Sequence, residues 1–381
     1  MLSESFFAST GGPPISSRTE IAKDVGIYSY QLHPTLSAKA TFKKSSASVN
    51  CLAVNESHIF VAQKDKAHVH VYSRTRGNQE ALIPFSEKIT SLALVQDVLL
   101  LGTAQGRLIL WEICTGRQVT TPPCHVQAIT CIAASPYHVL TGSDDSNIHV
   151  WSLPHLLDLD VRADHEPDRS FSNHRAAITS VAVAKGTNPE TAVCISSSKD
   201  KTCVIWNYQT GEALRTLLFP SVPLCLCLDP CTRAVFVATE DNSVFAVEIF
   251  GDNALLGPRS EGLLSTAVQV TTPLGVAEAD DGPASCIAVS FDGTTLLTGH
   301  TKAQLETSLS DEARLTRVLN SRGFPANVLE DALISLQHSD SGSSAGQGAN
   351  EPNEELWHII NEQRALQQLT FQKYVEAKAP Q

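Results

Sequence analysis

Two sets of side chains in this sequence contain the residue types of a hydrolytic triad. Each set has a histidine, a serine, an aspartate and a later tryptophan: His125, Ser143, Asp145 and Trp151, then His174, Ser198, Asp200 and Trp206. In a triad, the first three would serve as base, nucleophile and orienting carboxylate. The set recurs along the chain, and neither serine lies in a nucleophile elbow. We therefore predict a repeated structural motif and no catalytic residue.

Two other groups have residue types that bind metals. Cys225, Cys227 and Cys231 are close in sequence, but no second Cys or His pair follows at zinc-site spacing. His68 and His70 alternate along one predicted strand and so share a face, without an evident third ligand. We interpret the cysteines as free thiols in a strand and its turn, and we predict no metal and no cofactor.

The elements that carry these residues form a repeat. Five segments read as a strand of small residues, a tight polar turn and an alternating strand that ends at a marker residue. The markers are Tyr72, Trp111, Trp151, Trp206 and Val247, which are 39, 40, 55 and 41 residues apart. A period of about 40 residues is that of a four-stranded propeller blade. The polar insertion DLDVRADHEPDRS before Phe171 explains the longest interval as a loop on one face.

The two sets above resemble the WD-repeat family. In that family a His before the innermost strand, a Ser or Thr, an Asp in the tight turn and a Trp on the third strand form a buried hydrogen-bonded set. The resemblance implies this role for both sets, and mutual pairing would satisfy the buried polar groups. Other repeats depart from the pattern, with Gln105 in place of the Asp and Val247 in place of the Trp. Those repeats are expected to lack the set.

The two ends of the propeller are incomplete in the sequence. FFAST, VGIYSYQL and LSAKATFKK supply three strands of a first blade, and SCIAVSFDG and TTLLTGH begin a last one. We predict an all-β, seven-bladed WD-repeat β-propeller over residues 1–300. Because the last blade passes directly into a helix-like sequence, we also predict that residues are omitted between His300 and Thr301. An intact mass of the native protein equal to 41.0 kDa would contradict that omission.

A C-terminal α-helical, coiled-coil extension is predicted beyond the propeller. Residues 301–338 read as a helical extension, 339–353 as a flexible linker and 354–378 as a helix of about seven turns. The apolar stripe of the last helix, with its one polar interruption, consists of Leu356, Ile359, Ile360, Gln363, Leu366, Leu369 and Tyr374. The helix could pack back onto the propeller or pair with a second copy, and we favour a homodimer through this helix.

Composition restricts the classes of partner that the chain is expected to bind and the compartment in which it is expected to lie. The formal net charge is −12, from 28 Lys+Arg against 40 Asp+Glu, which disfavours strong direct nucleic-acid binding. The N-terminus MLSESFF has neither a basic start nor a long apolar run, so no signal peptide and no membrane span is predicted. The ten cysteines lie mostly in apolar runs, which indicates a reducing compartment.

A closer resemblance covers nearly the whole chain. The stretches NCLAVNESHIFVAQKDKAHVHVYSRTRGNQE, GTAQGRLILWEICTGRQV and SDDSNIHVWSLPHLL, with DEARLTRVLNSRGF and WHIINEQRALQQL, resemble the fungal pre-rRNA-processing WD-repeat proteins of the IPI group, a subunit of the Rix-type assembly complex. The resemblance implies a nuclear scaffold subunit, in nucleoplasm and nucleolus, that helps process the second internal transcribed spacer and mature the large ribosomal subunit. Implied partners are a helical-repeat scaffold subunit, the pre-large-subunit particle and a midasin-type AAA ATPase.

Three other functions are alternatives to this one. The alternative function is a WD-repeat adaptor for another assembly, such as a ubiquitin ligase. The proteins that co-purify with the chain would distinguish this adaptor from a ribosome-assembly scaffold. A phosphoinositide-binding propeller would need a paired-arginine motif of the FRRG type, which this sequence lacks. An enzyme is least favoured because no phosphate loop, metal cluster or activated nucleophile stands out. Which propeller face binds which partner is unknown from the sequence.

Overall fold

The chain folds into small antiparallel sheets arranged around a channel. The structure is a computed structural model that describes residues 5–11, 26–31, 37–43, 45–158, 165–184, 192–249, 267–277, 282–290 and 295–300. The strands in these ranges form seven sheets. Six sheets possess an inner strand that lines the channel, and we number them as blades 1 to 6 in chain order. The N-terminal sheet comes before them and has three strands.

The first half of the chain contains the N-terminal sheet and blades 1 to 3. The N-terminal sheet consists of β1 (Ser5–Ser9), β2 (Gly26–Gln31) and β3 (Ser37–Lys43). Blade 1 consists of β4 (Ala47–Val54), β5 (His58–Gln63), β6 (His68–Ser73) and β7 (Gln79–Pro84). Blade 2 consists of β8 (Ile89–Val95), β9 (Val98–Thr103), β10 (Leu108–Glu112) and β11 (Gln118–Thr120). Blade 3 consists of β12 (Ile129–Ala134), β13 (His138–Ser143), β14 (Ile148–Ser152) and β15 (Arg169–Phe171), with the short helix α1 (Leu153–Leu156) before β15.

The second half contains blades 4 to 6. Blade 4 consists of β16 (Ile178–Val183), β17 (Val193–Ser198), β18 (Thr202–Asn207), β19 (Glu212–Leu218) and a fifth strand, β23 (Ala267–Gln269), which pairs with β19 in parallel. Blade 5 consists of β20 (Pro223–Leu228), β21 (Ala234–Thr239), β22 (Ser243–Glu248) and β24 (Gly275–Val276). Blade 6 consists of β25 (Ala284–Val289) and β26 (Leu296–His300).

Burial within a blade depends on the distance from the channel and on the neighbouring blades. The second strands are buried on both faces, as in β9 and β17, where every residue is buried. A strand covered on both faces reads as a continuous apolar or small-residue run, which is why VLLLGT and VCISSS show no alternation. The outermost strand β7 is largely exposed. The core therefore lies between blades rather than within one sheet.

The inner strands lie side by side around the channel. Their order is β4, β8, β12, β16, β20 and β25. Side chains near the start of these strands cross each junction by donating a hydrogen bond to a carbonyl of the following blade. The bonds are Cys51 Sγ to Thr90 O (3.4 Å), Thr90 Oγ1 to Ile129 O (2.7 Å), Thr130 Oγ1 to Ile178 O (2.6 Å), Thr179 Oγ1 to Pro223 O (2.8 Å) and Cys225 Sγ to Ala284 O (3.6 Å).

The inner strand of blade 1 has an unusual bulge. Ala47 pairs with Gln63 but the next paired residue is Leu52, so β4 carries three extra residues, whereas β8 carries one at the same place. Asn50 in this bulge has a φ of 60°, and its Nδ2 donates to the carbonyl of Thr130 in blade 3 at 3.1 Å. The bulge of blade 1 therefore reaches past blade 2 to blade 3, and the sequence did not predict it.

Several sequence predictions can be compared with these strands. The three N-terminal strands and the two strands expected in each of the five repeats are present, and the all-β propeller is confirmed. Seven complete blades are not confirmed: in the described ranges six sheets have an inner strand, and the N-terminal sheet has none. The junction after His300, the helical extension, the linker and the C-terminal helix all lie outside the described residues. Among those described, no helix has the length and apolar character needed to cross a bilayer.

Candidate functional site

The predicted polar set of blade 3 forms a chain of hydrogen bonds from the turn to the third strand. His125 Nδ1 lies 3.0 Å from Asp145 Oδ2, and its Nε2 lies 2.9 Å from the hydroxyl of Thr141. The indole of Trp151 donates to the same hydroxyl at 3.1 Å. A neutral imidazole satisfies every bond: Nδ1–H donates to Asp145, and Nε2 accepts from Thr141. The loop before β12 is thereby attached to the turn between β13 and β14.

Blade 4 repeats this arrangement. His174 Nδ1 lies 3.2 Å from Asp200 Oδ2, and His174 Nε2 lies 2.8 Å from the hydroxyl of Ser196. Trp206 donates to that hydroxyl at 2.9 Å. The Asp200 carboxylate also accepts from the backbone N–H of Arg175 and from the Thr202 hydroxyl, at 2.9 and 2.6 Å. Each Asp therefore holds both the imidazole and the backbone that follows it.

The hydroxyl in each set is not the predicted serine. Ser143 instead donates to the carbonyl of Gln127 and accepts from the N–H of Asp145. Ser198 bonds in the same way to Ala176 and Asp200. The reason is strand geometry: Trp151 pairs with Val139, so its ring reaches the residue two positions along, Thr141, whereas Ser143 lies about 7 Å further along the strand. Thr141 and Ser196 both precede the turn Asp by four residues, whereas Ser143 and Ser198 both precede it by two, so the repeat alone does not choose between the two positions.

These hydroxyls cannot act as nucleophiles on a substrate. Thr141, Ser143, Ser196 and Ser198 are all completely buried. Burial also depresses the pKa of His125 to about 4, helped by the nearby His149, although Asp145 opposes the shift. The pKa of His174 is lowered by burial as well. For Asp145, burial opposes ionisation, but the N–H of Asn147 and the other partners outweigh it, so the pKa is lowered overall. The set is a neutral imidazole against an ionised carboxylate, sealed from solvent.

Other blades fill the histidine position with phenylalanine. Phe85 and Phe219 lie four residues before the inner strands of blades 2 and 5, as His125 does in blade 3. Phe219 is buried and its ring packs on Phe245 with centroids 5.4 Å apart, and Phe85 packs against the hydrophobic cluster of blade 1. In blade 2 the turn residue is Gln105, as predicted. An apolar contact replaces the polar set there, which explains why these blades can depart from the pattern.

The depressed pKa of His125 predicts that the folded chain becomes less stable in acid. The unfolded chain takes up this proton near pH 6.5, but the folded chain resists it until about pH 4. The free energy of unfolding should therefore fall as the pH drops from 6.5 to 4, by about 3 kcal/mol for this group at 1.36 kcal/mol per unit. Urea unfolding midpoints measured at several pH values across this window would reveal the loss.

A control variant separates His125 from other buried histidines, such as His70, whose pKa burial also lowers to about 4. His125→Phe combined with Asp145→Gln copies the pair found in blade 2. Stability of this variant should depend less on pH in the same window, because one titrating group is gone. An unchanged pH dependence would contradict the assignment.

The two metal candidates lie in simple strand surroundings. The rings of His68 and His70 stack with centroids 5.3 Å apart, and His70 Nδ1 lies 3.2 Å from the hydroxyl of Tyr72. Cys225 and Cys227 lie on β20, Cys231 lies in the turn that follows, and none of the three is paired in a disulfide bond. Across the described ranges no group of three or more His, Cys, Asp or Glu is placed to hold a metal ion.

The buried sets support one rim of loops, which we call the turn face. It contains the turns between the second and third strands of blades 1 to 5, together with the loops before the inner strands. In each blade, the first turn residue donates its N–H to a carbonyl just before or at the start of the inner strand: Lys64 to Ser46, Ala104 to Lys88, Asp144 to Ala128, Lys199 to Ala177 and Glu240 to Val222. A positive φ occurs at the third turn residue in blades 2 to 5, at Gly106, Ser146, Lys201 and Asn242, and at the second turn residue in blade 1, at Asp65. The loops of this face are thus held by backbone bonds.

Comparison with known proteins agrees with this architecture. The family model "WD domain, G-beta repeat" matches residues 116–152 and 165–207, which span blades 3 and 4. Protein ROOT INITIATION DEFECTIVE 3 of Arabidopsis thaliana is 29% identical over 72% of this chain and 62% of its own length. Pre-rRNA-processing protein IPI3 of Candida albicans is 23% identical over 70% of this chain and 62% of its own. WD repeat-containing protein 18 of Danio rerio is 27% identical over 67% and 58%.

The relatives are longer than the matched region. The chain spans 62%, 62% and 58% of these three proteins, or roughly three fifths of each. The repeated polar sets, the order of the sheets and the relatives named IPI3 in several fungi agree with the resemblance seen in the sequence. Together they support the similarity of the chain to the IPI-type WD-repeat proteins.

Proposed function

We propose that the chain is a non-catalytic scaffold in pre-rRNA processing. The observation that carries the proposal is the similarity to fungal proteins whose names state that role, over about 70% of the chain. The buried polar sets support it, because their only candidate nucleophiles are sealed within the blades. What remains for partners is the rigid rim of loops, a surface suited to recognition.

The wider role follows from the IPI resemblance. The chain acts in a nuclear complex, in the nucleoplasm and nucleolus, that processes the second internal transcribed spacer and matures the large ribosomal subunit. Its partners are a helical-repeat scaffold subunit, the pre-large-subunit particle and a midasin-type AAA ATPase. The acidic balance of the chain fits a subunit that reaches pre-rRNA through proteins rather than by its own charge.

The proposal includes two features of the complete protein. The residues proposed to be omitted between His300 and Thr301 include an inner strand. This strand completes the N-terminal sheet as a seventh blade. Residues 354–378 pair with a second copy through the stripe from Leu356 to Tyr374. Light scattering of the full chain and of a form truncated before Glu354 tests the pairing, and an equal mass per particle would contradict it.

Depletion and affinity purification test the function. Cells depleted of the protein should accumulate large-subunit precursors that retain the second internal transcribed spacer, and the tagged full chain should recover those precursors. The tagged chain truncated before Glu354 serves as the matched control for dimer-dependent recovery. Normal processing after depletion would overturn the proposal. Recovery of ubiquitin-ligase subunits without ribosomal precursors would favour the adaptor function instead.

A further inference from the structure

Lysines are distributed unevenly over the disc. Of the residues described between 45 and 249, the lysines are Lys64, Lys66, Lys88, Lys199 and Lys201, and all of them lie on the turn face. The strand order puts the turns between first and second strands, and between third and fourth strands, on the opposite face. Arginines carry the positive charge there, at Arg74, Arg76, Arg117, Arg169 and Arg233.

The carboxylates of the turn face are largely engaged within the fold. Asp145 and Asp200 are held by the histidine sets. Asp65 pairs with Lys88, and the nearly buried Glu87 pairs with Arg107 at 3.3 Å. Among the residues that the structure describes, the remaining acids on this face belong to blade 3, at Asp144, and to blade 5, at Glu240 and Asp241.

Several cations are left without an acidic partner. In the part of the chain that the structure describes, Lys64 and Lys66 of blade 1 and Lys199 and Arg175 of blade 4 form no ion pair. Blades 1 and 4 lie on opposite sides of the channel in the order of the inner strands. A chain with a net charge of −12 therefore presents two positive edges that flank its own channel.

Two exposed apolar side chains accompany these cations, one on blade 3 and one on blade 1. Val126 follows His125 on blade 3 and is 89% exposed, although its N–H is fixed by Asp145 at 3.0 Å. Val49 lies in the bulge of β4 and is 51% exposed. Hydrogen bonds between a side chain and the backbone hold both segments in place: the Asp145 carboxylate accepts from the N–H of Val126, and the Asn50 side chain in the bulge donates to the carbonyl of Thr130. Rigid apolar contacts beside unpaired cations fit a ligand that is both acidic and apolar.

We infer that the turn face docks an acidic segment of a partner protein that carries apolar side chains and lies across the channel mouth. Single-stranded RNA fits less well, because it binds through aromatic rings on which bases stack. The phenylalanines of this face, Phe85 and Phe219, are packed into hydrophobic clusters instead. The inference is independent of the role in pre-rRNA processing, because it names only the face and the chemistry of the segment.

Charge reversal on the two faces provides a matched test. Lys64→Glu, Lys66→Glu and Lys199→Glu change the turn face, while Arg76→Glu, Arg169→Glu and Arg233→Glu change the opposite face by the same charge. The probe is a fluorescent peptide that repeats Glu-Glu-Leu, titrated into the full chain at low salt. The lysine variant should bind at least about tenfold more weakly than the parent chain, and the arginine variant within about twofold of it.

Further measurements determine which class of ligand binds the turn face. Val126→Ser should weaken peptide binding several-fold without changing its salt dependence, because it removes an apolar contact and no charge. A peptide that repeats Gln-Gln-Leu should bind more weakly than the acidic one. Circular dichroism would establish that each variant is folded. Equal losses in both triple variants, no binding by the parent chain, or tighter lysine-dependent binding of poly(U) RNA would each overturn the inference.

Discussion

Replacing Gly106 with alanine should lower the free energy of unfolding by about 3 kcal/mol or more. Gly106 has a φ of +76°, which costs an L-residue roughly 1–2 kcal/mol. An added Cβ would also lie 2.1 Å from the carbonyl oxygen of His125, and that backbone must move to make room, at a further cost of about 1–3 kcal/mol. Urea unfolding followed by tryptophan fluorescence would measure the loss.

Gly116 supplies the matched control. Its φ is +71°, but nothing lies within 4 Å of an added Cβ. Gly116→Ala should therefore lower the free energy of unfolding only by the cost of a positive φ at alanine, about 1 kcal/mol. The Gly106 carbonyl accepts the N–H of His125, so Gly106→Ala should also change the NMR titration of His125, whereas Gly116→Ala should not. Equal destabilisation by the two variants would contradict the close approach between blades 2 and 3.

Replacing Trp151 with alanine should cost about 3–5 kcal/mol, the range for removal of a large buried aromatic side chain. Trp151 is completely buried in the cluster between blades 2 and 3. Its loss also removes the donor to Thr141, the hydroxyl that bonds His125. In urea unfolding, a lower midpoint concentration with an unchanged dependence of the free energy on urea would identify a loss of stability in an otherwise native fold.

Trp111 of blade 2 distinguishes the hydrogen bond from the packing. It occupies the same strand position but is only partly buried, and Leu101 stands where blade 3 has Thr141. Trp151→Phe should cost about 1 kcal/mol more than Trp111→Phe, since only the former breaks a buried hydrogen bond. Equal costs would mean that the bond from Trp151 to Thr141 adds no stability.

The periodicity of the sequence predicted most of the strands correctly. The alternation before Tyr72, Trp111, Trp151 and Trp206 depends on local strand geometry, and each of these residues lies on a third strand. The parallel strand β23 was missed because three residues carry too little pattern to identify a strand, and its partner β19 is distant in sequence. The bulge of β4 was missed because extra residues in a strand do not change its composition.

The polar sets were predicted less completely than the strands. The types His, Asp and Trp were sufficient to identify three members of each set, because the six-residue spacing from Asp to Trp repeats and each His lies four residues before an inner strand. The choice between Thr141 and Ser143 was wrong because both alternate to the same face, and only the reach of the indole separates them. The turn face could not be predicted from composition, because the total charge of −12 conceals the lysines concentrated on one side.

The hydrogen bonds between blades also determine how the disc can close. In every bond named above, the donor side chain belongs to the earlier blade and the acceptor carbonyl to the later one. The blades are thus joined as heterologous interfaces, the head-to-tail kind that generates either a ring or an open spiral. Such a row ends in two unlike surfaces that are complementary to each other. The number of blades is consequently set by the rotation from one sheet to the next, and the first and last blades of a closed ring meet through the same kind of contact as every other pair.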